Sequence, residues 1–284
     1  MRKYLLISIM MALLAGCSRF THEKEISSKN TAKRTIKVWL IGDSTMADYT
    51  KYPRYKESDN PITGWGQVFQ QFMEGDYLNE IKDFVKAAHV VVDDRAIGGR
   101  TTRSFFEEGR WRRVYKSLQP GDIVMIQFGH NDAAIKIPER YGNRGIPEFV
   151  DLGYKEYLRF YVSETCEKGG IPILLTPVAR NYPWKDGALT NVHGKFPESV
   201  KMVAEEMDVL LIDLNQLSMD FFTSKGKEYV TENYFMNLPP GKFKSVPDGL
   251  KDNTHFQTEG ATEVARLVYS ELKEIAKRQR KGTP

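Results

Sequence analysis

The chain has 284 residues, of which 41% are hydrophobic and 27% are charged, as in a globular protein with one large core or two small ones. The formal net charge of +4 is small and dispersed along the sequence, which argues against a nucleic-acid partner. The basic run at 277–281 is interpreted as the solvated end of a helix rather than as a binding patch.

The first 17 residues are predicted to be an export signal that takes no part in the fold. Arg2 and Lys3 precede the apolar run 4–14, which is too short to span a bilayer. The string LAGC at 14–17 resembles a bacterial lipobox, in which the chain is cleaved before Cys17 and this cysteine is lipidated. The alternative is an ordinary secretory signal that happens to contain a cysteine. Lipidation would anchor the protein to a membrane through Cys17, on the periplasmic or cell-surface side of a bacterial envelope.

Residues 18–35 are polar and lack hydrophobic periodicity, so they are predicted to be a flexible tether. The folded domain is then expected at 36–284. With Cys17 lipidated, Cys166 would be the one cysteine left in the mature chain, and we expect it to be a buried thiol without a disulfide.

The domain alternates between short apolar runs and amphipathic segments. The predicted strands are 37–41, 90–96, 123–128, 171–176 and 209–214, and the predicted helical segments are 66–73, 110–117, 154–168, 197–207 and 258–278. Nearly continuous apolar runs are typical of strands that are covered on both faces. The pattern predicts an α/β fold, a three-layer α/β/α sandwich around a central five-stranded parallel sheet. The active site of such a fold is expected at the carboxyl ends of the strands.

Ser44 follows the first predicted strand, directly after Gly42 and Asp43. A serine at a strand-to-loop corner can act as a nucleophile, although a helix N-cap is the commoner role for a serine in such a place. The G-x-S-x-G elbow of α/β-hydrolases is absent, because Met46 occupies its last position.

His255 is the best candidate for a general base among the five histidines, because Asp252 precedes it by three residues. An aspartate at that spacing in a loop can accept the Nδ1 proton and leave Nε2 facing a serine. A turn followed by a helix cap would give the same spacing. Donors for an oxyanion are offered by the paired glycines of AIGGR at 96–100 and by the side-chain amide of Asn131.

The blocks GDS at 42–44, the glycine at 99, GHND at 129–132 and DNTH at 252–255 resemble the four blocks of SGNH/GDSL hydrolases. The longer strings GDSTMAD, GWGQ, AIGGRTTRSF and DNTHF are similar to the rhamnogalacturonan acetylesterase branch of that superfamily. The resemblance spans about residues 36–275, and it implies the flavodoxin-like SGNH hydrolase fold.

The resemblance also implies the roles of the site residues. Ser44 would be the nucleophile, His255 the base and Asp252 its orienting carboxylate, with the Ser44 and Gly99 N–H groups and Asn131 as oxyanion donors. The expected activity is removal of O-acetyl groups from a plant cell-wall polysaccharide, acetylated rhamnogalacturonan or another pectin, without a metal or other cofactor. Acetylated xylan and peptidoglycan remain alternative substrates, and a non-catalytic glycan-binding lipoprotein is the alternative outside enzymes.

Three further residues are hypothetical substrate contacts. Trp184 and His193 lie in the segment after the fourth predicted strand, where an indole could stack on a sugar ring or belong to the core. Arg100 follows the oxyanion glycine and could meet a galacturonate carboxylate or form a structural salt bridge. A uronate-rich polymer would also suit the basic side chains at 51–56.

Overall fold

A computed structural model of the chain describes residues 34–56, 58–133 and 150–280. The predicted export signal, the lipidation site Cys17 and all but the last two residues of the predicted tether lie outside these ranges. Within the described ranges, no helix has both the length and the apolar character needed to cross a membrane.

The described parts of the chain form ten strands and nine α-helices. The strands are β1 Thr35–Gly42, β2 Ile62–Thr63, β3 His89–Asp94, β4 Ile123–Gln127, β5 Ile171–Leu175, β6 Trp184–Lys185, β7 Ala188–Leu189, β8 Leu210–Ile212, β9 Phe235–Leu238 and β10 Leu250–Gln257. The helices are α1 Pro53–Lys56, α2 Gly75–Val85, α3 Thr102–Glu107, α4 Arg110–Ser117, α5 Val150–Glu167, α6 Phe196–Glu206, α7 Leu214–Lys225, α8 Lys227–Tyr229 and α9 Thr258–Arg280. Helices of the 3₁₀ type span Tyr49–Lys51 and Trp65–Met73, and Val230–Tyr234 is a π-helical turn.

The central sheet has five parallel strands in the order β3-β1-β4-β5-β8, which confirms the predicted architecture. The chain passes from β1 to β3 on one side and then to β4 on the other side of β1. Open parallel sheets bind ligands at the carboxyl edge where the strand order reverses in this way. The residues that follow β1, β3 and β4 therefore converge on one crevice.

Alternate side chains of β1 enter two separate cores, because successive residues of a strand point to opposite faces. Val38 and Leu40 pack with the 3₁₀ helix at Trp65–Met73 and with α2, α7 and α9. Trp39 and Ile41 pack with α3, α4, α5 and α6. Helices cover both faces of the sheet, so the fold is the three-layer sandwich that the sequence predicts.

Five predicted helical segments correspond to observed ones, but 66–73 is a 3₁₀ helix rather than an α-helix. The prediction omits α1, α2, α3, α7 and α8. In α2 the buried residues Leu78, Ile81, Phe84 and Val85 follow a helical spacing, so the signal was present in the sequence.

A second sheet corrects the expectation that Asp252 and His255 lie in a loop. Strands β2, β10 and β9 pair in that order and antiparallel, with Phe256 opposite both Thr63 and Phe235. The register of β10 shifts between Asp252 and Phe256, as in a β-bulge. Such irregularities redirect side chains, and here the redirected segment contains His255.

Cys166 lies in α5 and is disulfide-bonded, so the expectation of a free thiol is wrong.

Candidate active site

Ser44 lies in a tight turn that begins where β1 ends. A Cβ atom on Gly42 would lie 2.6 Å from the Gln127 carbonyl oxygen of β4, so the close approach of the two strands requires glycine there. The Asp43 carboxylate accepts hydrogen bonds from the backbone N–H and the hydroxyl of Thr45, at 3.0 and 2.9 Å. Together these contacts fix the backbone on both sides of Ser44, whose carbonyl also accepts a bond from the Tyr49 hydroxyl at 3.1 Å.

The string GWGQ supports this turn from beneath. Trp65 Nε1 donates to Gln127 Oε1 at 2.9 Å, and Gln127 Nε2 donates to the Thr45 hydroxyl at 2.8 Å. A Cβ atom on Gly64 would lie 2.2 Å from the Ala47 carbonyl oxygen, which no side chain could tolerate. These residues therefore brace the Ser44 turn from within the core.

His255 connects Ser44 to Asp252. Its Nε2 lies 2.8 Å from Ser44 Oγ, and its Nδ1 lies 2.6 Å from Asp252 Oδ2. The second oxygen of Asp252 accepts bonds from the backbone N–H groups of Thr254 and His255, at 2.8 and 3.1 Å. When a carboxylate contacts an imidazole that in turn contacts a hydroxyl, the imidazole can activate the hydroxyl as a nucleophile.

The surroundings of Asp252 favour its charged form. Partial burial opposes ionisation, but the hydrogen bond and charge of His255 and the two backbone donors outweigh it and lower the pKa of Asp252. The carboxylate therefore stays negative beside the imidazole, where it can stabilise the positive charge that forms when His255 accepts a proton.

The loop after β3 and the loop after β4 meet beside Ser44. An ideal Cβ position on Gly98 lies 3.6 Å from the Ser44 Cβ atom. Gly99 has a φ of +80° and open space where a Cβ would be, so its conformation, rather than crowding, favours glycine. Asn131 Nδ2 donates to the Arg100 carbonyl at 3.1 Å and joins the two loops. The predicted oxyanion donors are thus neighbours in space.

His193 does not lie on the surface of this site. Its ring is 2% exposed, Nε2 contacts the Val178 carbonyl oxygen at 3.0 Å, and the ring centroid lies 4.5 Å from that of His130. Burial lowers the pKa of His193 well below its ordinary value, so the ring is neutral. The hypothesis that His193 contacts a sugar is therefore corrected: the residue is part of the packing beneath the site.

His130 also contacts the turn of Ser44 from below. Its Nδ1 lies 3.3 Å from Asp43 Oδ2 in a fully buried pair. Burial opposes the ionisation of Asp43, but His130 and the hydrogen bonds from Thr45 outweigh it and lower the pKa of Asp43 to about 2. A charged carboxylate therefore holds the backbone that presents Ser44.

Arg100 and Trp184 are both engaged within the chain. Arg100 donates to the Gly98 carbonyl at 2.8 Å and pairs with Glu108 at 3.2 Å, which is the structural salt bridge that the sequence left open. The Trp184 indole donates to Asn181 and packs partly buried against the core. These contacts within the chain account for the positions of both side chains without a bound substrate.

Sequence reasoning missed Arg180 and Asn181, which hold the segment of His255 in place. Arg180 donates to the Thr254 hydroxyl at 3.0 Å and to the His130 carbonyl at 3.1 Å. Asn181 donates to Asn253 through both its backbone and its side chain, each at 2.9 Å. Their one signal in the sequence is that they follow β5, at the carboxyl edge of the sheet.

No cluster of three or more His, Cys, Asp or Glu side chains with the spacing of a metal site occurs in residues 34–56, 58–133 and 150–280.

Comparison with known proteins identifies relatives over most of the chain. The model of the GDSL-like lipase/acylhydrolase family matches residues 40–261. The chain is 37% identical to the probable rhamnogalacturonan acetylesterase YesY of Bacillus subtilis over 84% of this chain and 93% of that protein. It is 33% identical to the rhamnogalacturonan acetylesterase RhgT of the same organism, over 86% and 92%.

Two solved structures share the fold. The chain superimposes on Bacillus subtilis YxiM with a TM-score of 0.65 at 28% identity, covering 85% of this chain but 57% of that one. It superimposes on a catalytic mutant of Axe2, an acetylxylan esterase of Geobacillus stearothermophilus, with a TM-score of 0.54 at 20% identity, covering 85% of this chain and 96% of that one. At that identity, the second likeness is one of fold alone.

Proposed function

The chain belongs to the GDSL-like lipase/acylhydrolase family, and on that premise we propose that this ester hydrolase removes acetyl groups from acetylated rhamnogalacturonan through an acetyl-enzyme on Ser44. The observation that carries the proposal is the continuous contact from Asp252 through His255 to Ser44 Oγ. The names of two relatives, at 37% and 33% identity, support the substrate class.

In the first step, Ser44 Oγ attacks the acetyl carbonyl carbon while His255 Nε2 takes the serine proton. The tetrahedral oxyanion is held by the N–H groups of Ser44 and Gly99 and by the Asn131 amide. His255 then gives its proton to the departing sugar hydroxyl as the C–O bond to the sugar breaks. Donors of this kind are typically worth roughly 3–4 kcal/mol each in the transition state.

In the second step, water attacks the acetyl-enzyme as His255 takes one of its protons. The proton returns to Ser44 Oγ as the acyl bond breaks, and acetate leaves. Asp252 is ionised throughout, because its pKa is lowered in the folded protein. Its role is to hold the His255 tautomer with Nε2 toward Ser44 and to stabilise the imidazolium in both steps.

The test compares acetate release from acetylated rhamnogalacturonan, pectin and xylan by the wild type and by Ser44→Ala. We expect the wild type to prefer rhamnogalacturonan and Ser44→Ala to lose at least ~10³-fold in kcat. Ser117→Ala, an exposed serine at the end of α4, is the matched control and should keep full activity.

An organofluorophosphonate supplies the independent readout. It should label Ser44 in the wild type and leave Ser44→Ala unlabelled. A wild-type protein that takes no label and releases no acetate would be a glycan-binding protein rather than a hydrolase. Equal or faster acetate release from xylan would agree with an esterase but would show that rhamnogalacturonan is not its preferred polymer.

We also propose that the protein is exported and held at a bacterial envelope through a lipid on Cys17. The support for this lies in the sequence alone, in the charged start, the short apolar run and the string LAGC.

A further inference from the structure

A cavity of about 430 Å³ opens at the carboxyl end of β3, beside the candidate active site. Ile97 and Tyr52 form part of its wall. The Tyr52 hydroxyl accepts a hydrogen bond from the Gly98 N–H at 3.2 Å, and Gly98 in turn faces Ser44. The cavity and the serine are therefore separated by one loop, and a polymer bound at Ser44 could place a neighbouring sugar in the cavity.

The lining of this cavity is rich in charge. Its cations are Lys51, Arg95, Arg110 and Arg113, and its acids are Asp48, Asp93 and Asp94. Asp94 is 6% exposed, and burial raises its pKa to about 8, so at neutral pH it is largely protonated. Four cations thus face two ionised carboxylates, and the cavity carries a positive charge.

Three of the four cations already have partners. Arg95 forms two bonds with Asp93, at 2.6 and 3.0 Å. Lys51 lies 3.5 Å from the Asp48 carboxylate and donates to the Asp94 carbonyl at 2.7 Å.

Helix α4 supplies the other two cations of the lining, Arg110 and Arg113. Arg110 pairs with Glu108 at 2.5 Å, whereas the guanidinium of Arg113 forms neither an ion pair nor a hydrogen bond with any residue of the described ranges. A guanidinium that lines a positive cavity without a carboxylate is available to bind one from a ligand, in a bidentate geometry.

We propose that this cavity binds the carboxylate of a uronic acid residue in the polysaccharide, with Arg113 as the anchoring residue. The inference rests on the proposed function, because it takes the ligand from the polymer whose acetyl group lies at Ser44. The subsite accounts for a preference for an acidic polymer without requiring Arg100, which is paired with Glu108.

The experiment uses the full-length protein and the variant Arg113→Gln, with Arg112→Gln as its matched control. Both arginines are exposed on α4, but Arg112 does not line the cavity. The substrates are acetylated rhamnogalacturonan, the same polymer with its carboxylates converted to amides, and the neutral ester p-nitrophenyl acetate.

We expect Arg113→Gln to raise KM for the acidic polymer about fivefold with kcat unchanged, because a single solvent-accessible charge pair contributes little free energy to binding. The difference should shrink in ~0.5 M salt, because salt screens such a pair. On the amidated polymer and on p-nitrophenyl acetate the variant should match the wild type, and Arg112→Gln should match it on all three substrates.

The two proposals fail in different ways. If the wild type deacetylates the acidic polymer and Arg113→Gln shows the same KM as Arg112→Gln, the carboxylate subsite is overturned and the proposed function stands. If the wild type hydrolyses p-nitrophenyl acetate but releases no acetate from rhamnogalacturonan, the proposed substrate and the subsite fall together. A melting temperature equal to that of the wild type excludes misfolding of the variant as the cause.

Discussion

At the scale of single residues, Asp43 shows how the site is stabilised. One carboxylate oxygen holds Thr45 and the other faces His130, so its charge fixes the turn that carries Ser44. Its pKa is lowered to about 2 in the folded protein, below the ordinary value of ~3.9 in an unfolded chain. The stabilisation is therefore complete above pH ~4 and is lost as the pH falls toward 2.

Asp94 has the opposite linkage, because burial raises its pKa to about 8. In the folded protein Asp94 keeps a proton that it releases above pH ~4 in the unfolded chain. The free energy of unfolding therefore falls progressively as the pH rises from ~4 to about 8. Asp94→Asn keeps the Oδ1 that accepts from the Ala96 N–H at 2.9 Å and removes the charge. We expect little change in melting temperature at pH 5 and a gain on the order of 1–3 kcal/mol, a rise of several degrees, at pH 9.

The control for this measurement is Asp248→Asn, which changes an exposed aspartate. It should leave the melting temperature unaltered at both values of pH. A gain of equal size at pH 5 and pH 9 for Asp94→Asn would show that packing, rather than ionisation, is responsible.

The sequence indicated which side chains to examine in the site, but not where each one faces. Ser44, Asp252 and His255 could be chosen from short strings, because a strand end and a D-x-x-H spacing are local patterns. The burial of His193 could not be predicted from the sequence, because it depends on contact with a separate segment that contains Val178. The pairing of Arg100 with Glu108 could not be predicted either, because it depends on the side-chain rotamers. Arg180 and Asn181 were missed for the same reason.

At the scale of elements, β10 shows why part of the fold escaped prediction. Its sequence LKDNTHFQ has one fully buried apolar residue, Phe256, and no alternation of apolar and polar positions. Its strand character comes from pairing with β9, across the loop that joins the two strands, and with β2, which is distant in sequence and only two residues long. The central parallel strands β1, β4 and β5, by contrast, could be predicted because each is buried on both faces.

The irregular part of β10 depends on Arg180, which joins Thr254 to the carbonyl of His130. We expect Arg180→Lys to lower kcat for p-nitrophenyl acetate about tenfold while KM changes little, because an ammonium group lacks the planar fork that spans both acceptors. A positioning role moves kcat in this way even for a small ester that makes few other contacts.

Tyr182→Phe is the matched control, since it removes another hydroxyl that accepts from Arg180 but leaves both links between the loops. It should retain wild-type kcat. If Arg180→Lys raised KM alone, Arg180 would be a substrate contact rather than a support for His255.

At the scale of the whole molecule, the two cores support the strand that carries Ser44. The core with Val38 and Leu40 and the core with Trp39 and Ile41 hold the two faces of β1. Packing on both faces supports the strand, and its carboxyl end presents Ser44 at the edge where the loops after β3 and β4 meet. The second sheet brings His255 to that edge from the side, so the candidate site joins two sheets that pack through shared core residues such as Phe256.

The proposed anchor at Cys17 makes a prediction about the whole chain in its cell. Lipidation at a lipobox forms a thioether on the cysteine, so the wild type should sediment with membranes and resist extraction by ~1 M salt, which screens purely ionic attachment. Cys17→Ser should release it, with the activity of the domain unchanged. Cys166→Ser is the matched control and should remain with the membrane.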